Sequence, residues 1–304
     1  MNCEATTPLV SVVIPAYNCE LYVADTLKSV INQTYQSIEI IVINDGSTDE
    51  TLTVLRHFKN QIRIIDQSNH GVANARNVGI AIARGEFVAF LDADDQWAPT
   101  KLEVQLGSLN GFDWSYTDSL YFGNSPLNGQ KRSELSPQPD GWVFNALIEE
   151  NFLTTSTVVV RKSILENLGG FDEKAVLREK LVFEDWILWL RIAQIHPISK
   201  INKPLVLYRV ALQSLSRNEA RKSLDAHLHI YGSVIPSMQL NLNIKSLVRK
   251  GLSKSYNTSS YIAEDSGDFK FALYCAWKAM VLSAPSWGKV KRLLRTMLNL
   301  VTIK

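Results

Sequence analysis

The sequence predicts an α/β protein with a mostly parallel central sheet flanked by helices and a helical extension at its C-terminal end. Three observations carry that reading. Short β-branched apolar runs alternate with stretches of helical periodicity through the first hundred residues. Three of those runs end in polar turns, two of them rich in carboxylates. From about residue 220 the periodicity is helical with polar breaks.

Taken in order, residues 9–14 (LVSVVI), 38–43 (IEIIVI), 62–65 (IRII) and 87–91 (FVAFL) are predicted strands. Between them Val23, Leu27, Val30 and Ile31, then Leu52, Leu55 and Phe58, then Val72, Ala75, Val78 and Ile82 recur at helical spacing. Such alternation implies crossover connections and parallel pairing. Residues 107–141, rich in Gly, Ser, Asn and Pro, read as loop beside a site. A strand is expected at 157–160 and a helix at 184–195, where Trp186, Trp189, Leu190 and Ala193 mark an apolar side. Two domains are expected, residues 1–215 and 216–304.

The 304 residues are 46% hydrophobic and 20% charged, with no continuous apolar stretch of membrane-helix length. That composition excludes a disordered or a helical membrane-spanning class. No basic segment followed by an apolar one opens the chain, and Cys3, Cys19 and Cys275 have neither metal nor disulfide spacing, so a cytoplasmic protein is expected. Residues 1–240 hold 21 Lys/Arg against 27 Asp/Glu, whereas residues 241–304 hold 11 against 3. The C-terminal part is a separate, basic electrostatic object.

In parallel sheets ligands sit beyond the carboxyl ends of the strands. Those ends carry Pro15-Ala16-Tyr17-Asn18, Asn44-Asp45-Gly46-Ser47-Thr48-Asp49 and Asp92-Ala93-Asp94-Asp95. Each alone has a structural account as a helix cap, a dipole partner or a solvated loop. Together they outline a pocket. Asp92 and Asp94, two apart after a buried strand, suit Mg²⁺ or Mn²⁺ shared with a diphosphate. Asp45 can accept from an imide N–H, Tyr17 can stack on a base, and Arg76 can meet a phosphate.

The ordered blocks VSVVIPAYN, IIVINDGSTDET, NHGVANARNVGIAIARGEFVAFLDADD and FEDWILWLR resemble a family-2 glycosyltransferase of the GT-A fold over residues 8 to about 210. The resemblance implies an inverting enzyme of the bacterial cell-surface polysaccharide or lipopolysaccharide type. It would move a single sugar from a nucleoside-diphosphate sugar, UDP-linked by preference, to a saccharide or lipid-linked saccharide. It implies that Pro15, Ala16, Tyr17 and Asn18 line base and ribose, that Asp45 reads the base, and that Arg76 lies near the diphosphate. Asp92, Ala93 and Asp94 match the Asp-x-Asp block, Asp92 nearer the ribose and Asp94 on the metal. Asp185 matches the base, with Glu184 binding acceptor hydroxyls or orienting it; which of the two acids is the base stays open. Asp172 is the rival, adequately explained by its Gly-Gly turn.

Two other functions compete. A sugar nucleotidyltransferase would place a Gly-rich basic loop after the first strand, where this chain has Pro15-Ala16-Tyr17-Asn18. A non-catalytic nucleotide-sugar scaffold would be expected to have lost one of Asp92, Asp94 and Asp185. No Gln-x-x-Arg-Trp block of processive synthases is present. No nucleic-acid module accompanies the basic tail, and no nucleic-acid partner is expected. Residues 289–304 hold five basic residues and no acid, which suits peripheral contact with an anionic membrane at its inner face. A helix packing its apolar side on its own domain is the equal alternative.

Overall fold

The structure, a computed structural model, describes residues 7–173, 183–210, 220–238, 244–283 and 287–302. It divides into two compact units. By their described residues, one holds 7–143, 152–173 and 191–210, and the other 144–151, 183–190, 220–238, 244–283 and 287–302. The expected boundary at 215/216 lies outside the described residues.

The first unit is built on an eight-stranded sheet, made of β1 (Val10–Ala16), β2 (Ile38–Asp45), β3 (Arg63–Gln67), β4 (Phe87–Phe90), β5 (Gln96–Trp97), β6 (Trp114–Phe122), β7 (Val159–Arg161) and β8 (Ser199–Arg209). Their order across the sheet is β3-β2-β1-β4-β7-β6-β8-β5. β3, β2, β1 and β4 run parallel, β7 is antiparallel to both its neighbours, and β6 pairs with β8 in parallel. β1 and β4 are almost continuously apolar and buried, as expected for strands covered on both faces. β3, at the edge, exposes Arg63 and Asp66.

Helices α1 (Val23–Ile31), α2 (Thr51–Arg56) and α3 (Val72–Ile82) make the crossovers between the parallel strands. α3 lies very close to the sheet: a Cβ on Gly79 would sit 2.3 Å from Val13 Cγ1, so no larger residue fits without moving the helix. α4 (Lys101–Gly107), α5 (Arg132–Leu135) and α7 (Lys162–Leu168) complete this unit.

The segment 107–141, read as loop from its composition, contains β6, a correction to the sequence reading. The strand is buried despite its hydroxyls and carboxylate because most of these groups find a partner, Ser119 Oγ being an exception among the described residues. Gln105 Nε2 donates to the carbonyl and hydroxyl oxygens of Ser115, and Asp118 accepts from the Ser119 and Ser133 amides and the Ser133 hydroxyl. Composition cannot show such satisfaction, so a polar central strand passes for a loop. β8 was likewise not anticipated; its register against β6 shifts around Asp118.

The second unit is helical: α6 (Phe144–Glu149), residues 184–190 of α8 (Glu184–Ala193), α9 (Ala220–His229) continued by a π-helical turn at Ile230–Val234, α10 (Lys245–Asp265), α11 (Phe269–Leu282) and α12 (Trp287–Thr302). Trp186 and Trp189 are buried, as the spacing predicts. α10 and α11 pack through small residues, with Ser253 Oγ donating to the Ala279 carbonyl and Ser260 Oγ to that of Ala272. His227 lies among Phe183 and Trp186, 4.5 and 5.5 Å between ring centroids, and burial pushes its pKa down. Among the described residues no helix is long and apolar enough to cross a membrane.

Candidate nucleotide-sugar and catalytic site

The strand registers bring four chain ends to one rim. Ala16 pairs with Asn44, Asp45 with Gln67, and Val13 with Phe90, so the turns after β3, β2, β1 and β4 stand side by side in that order. Pro15 is half-buried, Ala16 is buried, and the Tyr17 ring is 51% exposed, free to meet a flat ligand. Asn18 takes a positive φ of 47°, a conformation Asn tolerates, and its Oδ1 accepts from the Thr48 amide at 2.8 Å. The Asn18 amide donates to Ser47 Oγ, and the Cys19 amide to Thr51 Oγ1 at 2.8 Å. Two turns far apart in sequence thus form one cross-braced wall.

Asp45 is buried and its carboxylate is well used. Oδ1 accepts from Gln67 Nε2 at 2.8 Å and the His70 amide at 2.9 Å, and Oδ2 from the Gly71 amide at 2.8 Å. A carboxylate offers about four acceptor positions, so one remains for an imide donor. Asp45 also shapes the 67–71 turn.

Arg76, 4% exposed, projects from α3 and pairs with Asp92 at 2.7 Å, its guanidinium packed over the Phe171 ring. The expected phosphate contact and the expected Asp-x-Asp block are therefore joined. Phe171 belongs to the Gly169-Gly170-Phe171-Asp172 turn, which α3 grips. Asn77 accepts from the Phe171 amide and donates to its carbonyl, and Glu173 accepts from both Asn74 and Asn77. A Cβ on Gly170, at φ 69°, would lie 2.3 Å from Asn77 Oδ1, so the turn requires glycine there. Asp172 itself is exposed.

The Asp92–Asp95 turn is pinned from several sides. Thr26 Oγ1 lies 2.8 Å from the Ala93 carbonyl and 2.7 Å from that of Asp95. Ser156 Oγ accepts from the Asp92 amide and donates to Asp95 Oδ2. Asp95 is fully buried, and its other oxygen accepts from the Arg209 amide at 2.8 Å. Burial and the neighbouring Asp94 and Asp92 push its pKa well up. Asp95 acts as a latch for the turn. Ala93 is buried, and so is Trp97, its indole N–H on the Ser156 carbonyl.

Asp94 titrates at about 6, raised by burial and then by the Asp92 charge, with Arg209 pulling the other way. Such a carboxylate gains from a cation. The donor set suits Mg²⁺ or Mn²⁺, hard ions that take one or two carboxylates and complete their shell with phosphate and water. Among the described residues no three His, Cys, Asp or Glu side chains group into a metal cage, and Asp92 is already shared with Arg76. Asp94 therefore fits as the principal protein ligand, with Asp92 beside it.

Arg209 and Ser156 escaped the sequence reading. Arg209 ends β8 with its guanidinium between the Tyr22 and Phe122 rings, 4.3 Å from each centroid, and Nε donating to the Asp94 carbonyl at 2.9 Å. The signal was an apolar run, Leu205-Val206-Leu207-Tyr208, ending in a cation: a strand with a charge at its carboxyl end. Ser156 had no signal beyond lying in a polar stretch before a strand.

Glu184 and Asp185 belong to the second unit, in the first turn of α8, where acids also favour the helix dipole. Glu184 is buried. Asp185 is half-buried, Oδ1 accepting from the Trp186 amide and Oδ2 lying 3.4 Å from Asn151 Nδ2. The Trp186 indole donates to the Leu147 carbonyl at 2.7 Å, fixing the turn that carries both acids.

Comparison with known proteins agrees with this arrangement. Residues 11–169 match Glycosyl transferase family 2. The Escherichia coli UDP-Glc:alpha-D-GlcNAc-diphosphoundecaprenol beta-1,3-glucosyltransferase WfaP is 32% identical, aligned over 70% of this chain and 82% of its own. The Escherichia coli UDP-Glc:alpha-D-GlcNAc-diphosphoundecaprenol beta-1,3-glucosyltransferase WfgD is 31% identical over the same shares. Among solved structures, S. aureus TarS 1-349 with UDP superposes with a TM-score of 0.60 at 18% identity, covering 91% of this chain and 81% of that one. The mannosyltransferase PcManGT of Pyrobaculum calidifontis, with GDP-Man and Mn²⁺, does so with 0.62 at 18%, covering 98% and 81%. The fold is GT-A, and the chain, matched over more than half its length, belongs to glycosyl transferase family 2 and is a glycosyltransferase.

Proposed function

We propose that the protein transfers a single sugar from a UDP-sugar to a lipid-linked saccharide, with inversion, in cell-surface polysaccharide assembly. The observation that carries this reading is the rim itself: a base-sized wall of Tyr17 and Asp45 beside the Arg76–Asp92 pair and the raised Asp94. The UDP preference and the lipid-linked acceptor rest on WfaP and WfgD, whose activities use UDP-Glc and a diphosphoundecaprenol-linked GlcNAc. They imply work at the inner face of the cytoplasmic membrane.

In this mechanism Pro15, Ala16, Tyr17 and Asn18 hold base and ribose, and Asp45 accepts from the base. Ala93 shapes the floor with its neighbours, and Asp92 faces the ribose. Asp94, with Asp92 beside it, would hold a divalent cation, which would supply charge neutralisation for the departing diphosphate. Arg76 and Arg209 add fixed positive charge at the same rim, in a dry setting where such charge acts strongly. Asp185 takes the proton of the acceptor hydroxyl as that oxygen forms its bond to the anomeric carbon and the bond to the diphosphate breaks. Glu184 orients the acceptor or the base. One displacement inverts the carbon, so an α-linked donor yields a β-linkage.

The test is calorimetry of UDP, GDP and TDP, with and without Mn²⁺, on the wild type and Asp94→Ala, followed by transfer assays on Asp185→Asn. Mn²⁺-dependent binding of one nucleotide, lost in Asp94→Ala, is expected. Donor binding should survive in Asp185→Asn while transfer falls by a factor of 10² or more. A folded protein that binds no nucleotide would overturn the reading and favour a non-catalytic role.

A further inference from the structure

α11 is built inside out for a helix of a water-soluble unit. Its fully buried residues are small, Ala272, Cys275, Ala276 and Ala279, set against the serines of α10, with Phe271 and Leu282 half-buried at the ends of the helix. Its outer side carries the bulk: Tyr274, Trp277 and Val281 are 44, 48 and 57% exposed, at the i, i+3, i+7 spacing that lines one face. A helix that served only to fill a core would place those residues inward.

α12 carries the basic end that was expected either to touch a membrane or to pack its apolar side on the domain. Among its described side chains Arg292 and Thr296 are buried, the former paired with Glu264 at 2.9 Å and lying over Tyr261, Val290 and Leu293 are half-buried, and Leu294 and Met297 are exposed. Cations flank these faces: Lys278 lies over the Tyr274 and Trp277 rings, Lys270 and Lys291 are exposed, and no acid occurs anywhere from Phe269 to the C-terminal Lys304. Exposed Trp and Tyr beside Lys, without acids, is the chemistry of the boundary between acyl chains and anionic headgroups. A second copy of this chain would present the same uncompensated positive charge.

We infer that Tyr274, Trp277 and Val281 of α11, with Lys278, form the surface by which this protein docks on an anionic bilayer, and that Leu294 and Met297 of α12 extend it. This adds α11 to the basic end at 289–304 as a docking surface. This deepens the proposed lipid-linked acceptor, but docking needs neither donor nor metal, so the two can fail separately.

The experiment is flotation of the full chain with phosphatidylcholine vesicles, with and without phosphatidylglycerol. Expected is binding to the anionic vesicles alone, weakened by salt. Trp277→Ser should reduce partitioning several-fold, and Lys278→Glu, which reverses one charge, by roughly tenfold or more. Both sites are at the surface, so unchanged circular dichroism and thermal midpoint should accompany the loss. Asp94→Ala should float like the wild type. No binding by the wild type, or binding unaffected by Trp277→Ser and Lys278→Glu, would overturn the inference. So would a solution dimer that Trp277→Ser dissociates, which would make the face a contact between copies.

Discussion

Replacing Asp94 with Asn removes a titrating group while keeping the shape of the side chain, and its effect has a definite pH signature. In the metal-free protein Asp94 titrates at about 6 instead of 3.8, chiefly because burial penalises its charge and Asp92 repels it. The native state therefore holds this proton more tightly than the unfolded chain does. The stability it contributes is complete below the unfolded value and is lost as pH rises through about 6. A shift of about two pH units corresponds to about 3 kcal/mol. The Asn variant has no such loss, so its stability relative to wild type should rise by about 3 kcal/mol between roughly pH 4 and pH 7. Urea unfolding of both proteins in chelator, followed by circular dichroism across that range, measures the difference. Adding Mn²⁺ near neutral pH should restore stability to the wild type and leave the variant unmoved. A difference that is constant with pH, or that falls as pH rises, would refute the account of this site as a strained carboxylate awaiting a cation.

Other outcomes follow from the same coordinates. Ser156→Ala strips the Asp92 amide and the buried Asp95 carboxyl of one partner each, and should cost about 1–3 kcal/mol in chemical denaturation. Gly170→Ala combines a positive φ with a collision against Asn77 and should cost about 2–4 kcal/mol, whereas Gly107→Ala, with open space around it, should be neutral or stabilising. Arg292→Met leaves buried Glu264 without its closest cation and should destabilise by about 3–5 kcal/mol, much of it recovered in the Arg292→Met/Glu264→Leu double variant, a pattern a double-mutant cycle reads directly. Arg209→Lys keeps the charge but not the fork between two rings, and should weaken nucleoside-diphosphate binding about tenfold in calorimetry, with the fold intact.

The contrast between Asp94 and Asp95 shows how far a motif carries. Both were visible as acids after a strand, and the resemblance marked one of them as a metal ligand. Only the packing separates their work: Asp95 is fully buried, with both oxygens bonded to Ser156 and Arg209, while Asp94 stays partly open at the rim. The partners come from the turn before β7 and from β8, 61 and 114 residues away respectively, and no local pattern points across such a distance.

By itself the sequence determined the α/β class, the first four strands, the three crossover helices and the acid-bearing turns. These rest on periodicities and turn chemistry that act over a few residues, so the chain displays them locally. It also displayed the family, because four blocks in order leave little room for chance. What the tertiary structure decided is the rest. β6 can be a buried strand because Gln105 partners Ser115 and Ser133 partners Asp118. Arg76 meets Asp92 because α3 sits tight on β1 through Gly79. α11 turns its tryptophan outward while its small residues Ala272 and Ala279 meet the serines of α10. In each case a residue's role depends on what faces it across the fold, and that is a long-range property which the order of residues encodes but does not show.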